Sequence, residues 1–203
     1  FSPPQSDEEK QALISEYPDA AHGDWSRTGL TEEEQQMILG LTPKLKEMLQ
    51  RYHMEYHLHD SFYGQPDHIQ VGAYIEEGIY APLYFGYGGA GEYADRRQTS
   101  RSYEKQILGR APDTVLVLVK ASAEVIGKRM SDWLHHNGAL QREDIDNVLA
   151  RFEEEYEASL LRHKVVIDTS TATVEESMAE LAEKLTPLLT EADRNRMETQ
   201  RRA

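Results

Sequence analysis

The sequence predicts an α/β fold, a three-layer sandwich in which helices cover both faces of a mostly parallel sheet. Two runs, residues 114–119 and 164–167, consist almost wholly of β-branched residues and leucine. Such runs are typical of strands buried on both faces of a parallel sheet. A helix pattern follows each of them, and strands that alternate with helices build βαβ units.

The first half of the chain is predicted to be mainly helical. Thr31 and Glu34 have the spacing of a capping box, which marks a helix start, and Thr42 stands where it would cap a second helix. Apolar residues alternate between His53 and His59, which predicts a short strand ending at Asp60. The predicted elements of this half are the two capped helices, a strand over 53–59, and helices over 68–85 and 92–108.

The second half continues with the two buried strands and the helices between them. Ser122 caps a helix that runs to about Trp133, and a further helix is predicted over 143–161. Thr173 and Glu176 form a second capping box before an amphipathic helix. We therefore predict one domain over 1–189 with a polar, lid-like segment over 131–144, followed by a charged, frayed tail over 190–203.

Composition excludes several classes of protein. The formal net charge of −14 argues against a general binder of nucleic acid or anionic membranes. The absence of cysteine excludes disulfides, cysteine zinc sites and thiol catalysis. No apolar run approaches the roughly 20 residues that span a bilayer. A cytoplasmic protein that binds a small molecule is the expectation.

Four stretches resemble the carboxyl-terminal half of P-loop kinases of the thymidylate-kinase-like (nucleoside and nucleotide kinase) group. They are PDTVLVLVKASAEVIGKRM (112–130), SDWLHHNGALQRED (131–144), NVLARFEEEYEASLL (147–161) and HKVVIDTSTATVEESMAEL (163–181). In that group they correspond to a strand and helix, the lid over the phosphates, a helix, and the last strand with its adenine-side loop. The resemblance implies a P-loop NTPase-like fold and phosphoryl transfer from ATP with magnesium.

The chain departs from that group at two points. None of its eight lysines is followed by Ser or Thr, so the G-x-x-x-x-G-K-[ST] loop that cradles phosphates is missing. Because the chain starts at Phe1 without Met, we expect that this loop was lost upstream and that the truncated chain is inactive. Ser61 also stands where the group has an arginine that binds the acceptor phosphate, so the sequence does not identify the acceptor.

Asp60 and three arginines are the first candidate site residues. Asp60 ends the predicted strand at the carboxyl edge, where open parallel sheets bind ligands, and the resemblance implies that it holds magnesium or accepts a proton. Arg96, Arg97 and Arg101 lie on one predicted helix, and guanidinium groups suit phosphate oxygens. The alternative is a surface helix paired with the acidic residues nearby, which are Glu92, Asp95 and Glu104.

The remaining candidates line the predicted pocket. Arg129 and Arg142 flank the lid-like segment, where the resemblance implies arginines that neutralise the donor phosphates. Tyr74, Glu77 and Tyr84 belong to a tyrosine-rich patch, and the resemblance implies that the helices carrying it line the acceptor pocket, where the rings could stack on the acceptor. Ordinary core packing is the alternative for this patch.

Three other functions stay open. One is a kinase-shaped module without catalysis that serves as a binding surface. A second is a metalloprotein built on His57 and His59, which a strand would place on one face. The third is dinucleotide binding by Gly86–Gly91, which matches G-x-G-x-x-G but lacks a convincing preceding strand, so a glycine-rich turn is favoured. Exposed edges of an incomplete sheet would favour association of copies.

Overall fold

The computed structural model describes residues 31–63, 68–132 and 139–202. The chain divides into two compact units, residues 1–46 and 47–203. None of the helices in the described ranges combines the length and the hydropathy that crossing a bilayer requires.

The first unit contains α1 (Glu32–Leu39) and the beginning of α2 (Pro43–Tyr56). The Thr31 hydroxyl accepts a hydrogen bond from the Glu34 N–H, and the Glu34 carboxylate accepts one from the Thr31 N–H. The capping box is therefore confirmed. The second predicted helix is also confirmed, and it begins at Pro43.

The second unit contains the rest of α2 and all later elements. These are, in chain order, α3 (Asp60–Tyr63), α4 (Ala73–Tyr80), a π-helical turn (Ala81–Phe85), α5 (Arg96–Arg110), β1 (Val115–Lys120), α6 (Ala123–Asp132), a 3₁₀ turn (Arg142–Asp144), α7 (Ile145–Ala158), β2 (His163–Asp168), α8 (Val174–Leu185), a second 3₁₀ turn (Thr186–Leu188) and α9 (Glu191–Arg202).

The two predicted strands lie side by side and run parallel. Val115 pairs with His163 at one end of the register, and Lys120 pairs with Asp168 at the other. The connection between the strands contains α6 and α7, so it is a helical crossover of the βαβ kind. The fold of the described residues is mixed α/β, mostly helical, with a parallel sheet of two strands.

Helix α7 lies on one face of this sheet. Lys120 forms an ion pair with Glu153 of α7, and the ammonium of Lys164 lies 5.4 Å from the centre of the Tyr156 ring. The same face carries Leu116, which packs against an apolar core formed by the end of α2 and the turn after it, by α5, and by the turn before β2. That core consists of Met54, Leu58, Tyr103, Ile107 and Leu161.

The prediction of a strand over 53–59 is wrong, because α2 continues to Tyr56 and a turn follows it. Met54 and Leu58 are 7% and 4% exposed, whereas Tyr56 is 64% exposed. A spacing of four residues fits one face of a helix as well as one face of a strand. Tyr56, between the two buried residues, points outward as the helix requires.

The prediction of a frayed tail is also wrong, because Glu191–Arg202 forms α9. The Thr190 hydroxyl accepts a hydrogen bond from the Asp193 N–H, while the Asp193 carboxylate accepts one from the Thr190 N–H. This is a reciprocal cap with aspartate in the position where glutamate is more usual.

Candidate functional site

Helix α5 carries a buried stripe made largely of polar side chains. The buried positions are Arg96, Ser100, Tyr103, Glu104 and Ile107, which follow the three- and four-residue steps of a helix face. Charged groups are rarely fully buried unless they are paired. The stripe therefore has to be matched by groups on neighbouring elements.

Arg96 is matched by two buried carboxylates. Its Nη2 lies 3.5 Å from Glu47 Oε1 on α2 and 3.4 Å from Glu77 Oε1 on α4. Tyr87 donates a hydrogen bond of 2.5 Å to Glu77, and the Arg96 guanidinium lies 5.1 Å from the centre of the Tyr87 ring. Burial raises the pKa of Glu77, although the Tyr87 hydroxyl and Arg96 act in the opposite direction.

The glycine-rich segment closes on this buried arginine. Gly86, Gly88 and Gly91 all have positive φ, and a Cβ at Gly88 would lie 2.5 Å from Cγ of Arg96. A π-helical turn, not a strand, precedes the segment. The glycine-rich turn is therefore confirmed, and residues 68–85, which precede it, contain no strand of the kind that a dinucleotide-binding motif requires.

The other two arginines pair with α7. Arg101 Nη2 lies 2.8 Å from Glu155 Oε2, and Arg97 Nε lies 3.0 Å from Glu155 Oε1. Arg97 also reaches the exposed Glu154 at 2.7 Å. All three predicted phosphate-binding arginines are thus bound to carboxylates. Glu92 and Asp95, which were expected to pair with these arginines, instead accept hydrogen bonds from the N–H groups of Gly89 and Gly91. The arginines pair with glutamates of α2, α4 and α7.

Glu104 connects α5 to α4 and to the turn between α7 and β2. Its carboxylate accepts hydrogen bonds from the Ser159 hydroxyl at 2.7 Å, the Leu160 N–H at 2.8 Å and the Tyr74 hydroxyl at 3.3 Å. Arg101 Nε lies 3.4 Å from the same carboxylate. Burial, followed by the charge of Glu104, raises the pKa of Tyr74.

Asp60 does not lie near these arginines. It is 83% exposed and pairs with Arg110 at 2.6 Å, and this contact lowers the pKa of Asp60. Arg110 is the last residue of α5, and 14 residues of helix place it about 21 Å along the axis from Arg96. Because Asp60 begins α3 and follows no strand, the expectation that it lies at the carboxyl edge of the sheet is wrong.

Arg129 lies at the carboxyl edge, beside the loop that follows β2. Its guanidinium donates hydrogen bonds to the Thr169 hydroxyl at 3.1 Å and to the Thr169 carbonyl at 2.9 Å. The Ser170 hydroxyl accepts a hydrogen bond of 2.9 Å from the Ser122 N–H. The ends of β1 and β2 and the last turn of α6 are therefore joined into one polar edge.

Arg142 and Tyr84 fix the chain just before α7. Arg142 Nη2 donates to the Gly127 carbonyl at 2.8 Å and to the Ser131 hydroxyl at 2.5 Å. Tyr84 donates to Asp144 at 2.8 Å and accepts a hydrogen bond of 3.2 Å from the Gln141 N–H. Part of the predicted lid, residues 133–138, lies outside the described residues.

The three predicted acceptor-binding residues have separate partners. Tyr74 contacts Glu104, Glu77 contacts Arg96, and Tyr84 contacts Asp144. The sequence predicted Glu104 only as an acidic neighbour of the arginines, and it did not predict Glu47 or Glu155 as their partners. The spacing of Arg101 and Glu104, three residues apart on a helix, was the available signal.

His53, His57 and His68 form an aromatic cluster with Phe62. The rings of His53 and His57 are 4.9 Å apart, and His68 stacks on Phe62 at 4.1 Å. His59 does not join this cluster but contacts Ser61. Within the described ranges, no group of three or more His, Asp or Glu side chains could hold a metal ion.

Comparisons with known proteins give no relative: no protein-family model, curated protein or solved structure matches this chain.

Proposed function

We propose that the chain forms part of an ATP-dependent phosphotransferase that acts on a small molecule, and that a segment outside these 203 residues supplies the phosphate loop. The observation that carries the proposal is the uncovered side of β1. In the described part of the chain, β1 is paired along one edge only. Val119 is 63% exposed, whereas Ile167, its partner in the register, is 3% exposed.

A strand of this composition is typical of a sheet that is covered on both faces and paired along both edges. A phosphate loop sits between a strand and a helix. Such a segment would supply a strand for the edge of β1 that has no partner strand in the described ranges, and a helix for the face that carries Val119. It would also bring the loop to the carboxyl edge, where open α/β sheets bind ligands.

The polar edge around Arg129 is suited to the donor side. The two hydrogen bonds to Thr169 hold the guanidinium plane in place, and a planar guanidinium stacks well on an aromatic ring. ATP would supply the phosphoryl group and magnesium would neutralise its charge. The residues of this chain would hold the base, while catalytic and metal-binding roles for Asp60 stay predictions without geometric support.

The experiment uses the natural polypeptide that contains this sequence, purified from its host, with labelled ATP and a panel of nucleosides, nucleoside monophosphates and small alcohols. We expect transfer of label to one acceptor class. Arg129→Ala should raise the KM for ATP about tenfold, the equivalent of about 1.4 kcal/mol, because one charged hydrogen-bond donor and one stacking surface are lost. The exposed neighbour Lys128→Ala is the matched control.

Three outcomes would count against the proposal. They are absence of transfer to any acceptor, an unchanged KM in Arg129→Ala, and a micromolar dissociation constant for ATP and magnesium measured on the 203-residue chain alone. The last would mean that tight donor binding needs no phosphate loop.

A non-catalytic module is the second candidate, and the arginine contacts favour it. Arg96, Arg97 and Arg101 are all engaged by carboxylates, so they stabilise the packing of α5 without any ligand. A module of this kind would bind no ATP even as the natural polypeptide, which separates the two candidates in the same assay.

A further inference from the structure

Two histidine rings lie side by side where α2 ends. His53 belongs to the last turn of the helix, and His57 directly follows it. The His57 N–H donates to the Met54 carbonyl at 3.0 Å, so the backbone is still turning there, and helical residues four positions apart share a face. The ring centres of His53 and His57 are 4.9 Å apart. His53 is exposed and His57 partly exposed, so an ion in solution can reach both imidazoles.

A backbone contact fixes the position of the proton on His57. Its Nδ1 lies 3.1 Å from the carbonyl oxygen of His53, and because a carbonyl can only accept, Nδ1 carries the proton. The lone pair of the neutral ring is then on Nε2, which has no hydrogen-bond partner among residues 31–63, 68–132 and 139–202. Histidines that bind metal ions typically donate their second ring N–H to a carbonyl or carboxylate in this way.

The distance between the two rings suits one shared ion. A zinc ion about 2.1 Å from a ring nitrogen lies roughly 3.2 Å from the centre of that ring. Two rings with centres 4.9 Å apart can therefore bind one ion with an angle of about 100° between the two bonds, which lies between square-planar and tetrahedral coordination. The exposed His53 ring can rotate about its side-chain bonds to direct a nitrogen at this point.

The surroundings favour a cation at this pair. The chain has a formal net charge of −14, and an acidic protein attracts cations to its surface. Arg51, which precedes His53 by two residues on α2, is paired with Glu47 at 3.2 Å, so its charge is neutralised locally. Burial, followed by the charge of His53, lowers the pKa of His57, which keeps this ring neutral and its lone pair available at pH 7.

We propose that His53 and His57 together bind one divalent transition-metal ion, with Cu²⁺ held more tightly than Zn²⁺. The two imidazoles supply two nitrogen ligands, and water fills the remaining positions. The affinity of a nitrogen site follows the Irving–Williams order, in which Cu²⁺ stands above Ni²⁺ and Zn²⁺, whereas Mg²⁺ prefers oxygen ligands. Because structural zinc sites have four protein ligands, this is an open site from which the ion exchanges. It does not depend on phosphoryl transfer.

The probe is the metal ion alone, titrated by calorimetry into the 203-residue chain after treatment with a chelator. We expect Cu²⁺ to bind at least about tenfold more tightly than Zn²⁺ at this site, and we expect no saturable binding of Mg²⁺. NMR of isotope-labelled histidine identifies the ligands. Zn²⁺ should shift the Nε2 resonance of His57 and one ring nitrogen of His53, and should leave the ring nitrogens of His59 unchanged.

His53→Gln and His57→Gln should each weaken Cu²⁺ binding at this site at least about tenfold, because a chelating pair becomes a single ligand. The double variant should weaken binding little further. The matched control is His59→Gln, which removes an exposed histidine that contacts Ser61 and should leave the affinity unchanged. An unchanged affinity in His53→Gln, an equal loss in His59→Gln, or unshifted ring resonances of His53 and His57 would overturn the proposal. The resonance measurement needs no substitution, so it decides the question even if a variant does not fold.

Discussion

Replacing Glu104 with alanine should destabilise the protein by about 4 kcal/mol. The carboxylate is completely buried, and its loss leaves the donors of Ser159, Leu160 and Tyr74 without their acceptor. Each buried donor that loses its partner costs about 1–3 kcal/mol. Breaking a buried ion pair costs about 3–5 kcal/mol. These costs overlap, because Arg101 and the three donors share one carboxylate, so we take a value inside the second range.

The matched control is Glu154→Ala, which removes the exposed partner of Arg97. Exposed ion pairs contribute about 0–1 kcal/mol. Urea unfolding followed by circular dichroism measures both variants. With a slope of about 2 kcal/mol per molar urea, Glu104→Ala should shift the midpoint by about 2 M and Glu154→Ala by less than about 0.5 M. Equal shifts would refute the conclusion that buried pairing holds α5 in place.

Two further predictions concern a carboxylate and two glycines. Because the pKa of Glu76 in the folded protein is raised above its ordinary 4.5, the folded state binds more protons than the unfolded state just above that pH, and stability falls as pH rises through this window. Glu76→Gln should remove that part of the pH dependence and raise the urea midpoint at pH 7. An unchanged midpoint would show that the ionised carboxylate of Glu76 does not destabilise the folded protein. Gly88→Ala should destabilise the protein by about 3 kcal/mol, because strain at positive φ adds to a steric contact with the buried Arg96 side chain. Gly91→Ala also has positive φ but has open space around it, so it should cost only about 1 kcal/mol. Equal losses of thermal stability in the two variants would contradict the contact between residue 88 and Arg96.

The elements whose signals are local were predictable from the sequence. The capping boxes at Thr31 and Thr173 involve residues three positions apart, and both are confirmed. The parallel pairing of β1 and β2 was predictable because a run of apolar residues needs cover on both faces. The strand predicted over 53–59 failed because Met54 and Leu58 satisfy both periodicities, and only the packing against Tyr103 and Ile107 decides between them.

The partners of the arginines could not be predicted. Arg96 is matched by Glu47 and Glu77, and Arg101 by Glu155, which lies 54 residues away in the chain. An arginine that binds phosphate and an arginine that binds a buried glutamate look the same in sequence. The choice depends on which helices pack against α5, and no local pattern contains that information.

The fully buried carboxylates and the partly buried Glu76 show how the depth of burial determines the need for a charged partner. Glu47, Glu77, Glu104 and Glu155 each neutralise an arginine, so their desolvation is compensated inside the fold. Glu76 lies next to Glu77 on α4 but is only partly buried, and it stands in the first turn of that helix, where the helix dipole favours a carboxylate. Burial depth therefore decides which of these carboxylates need an arginine beside them.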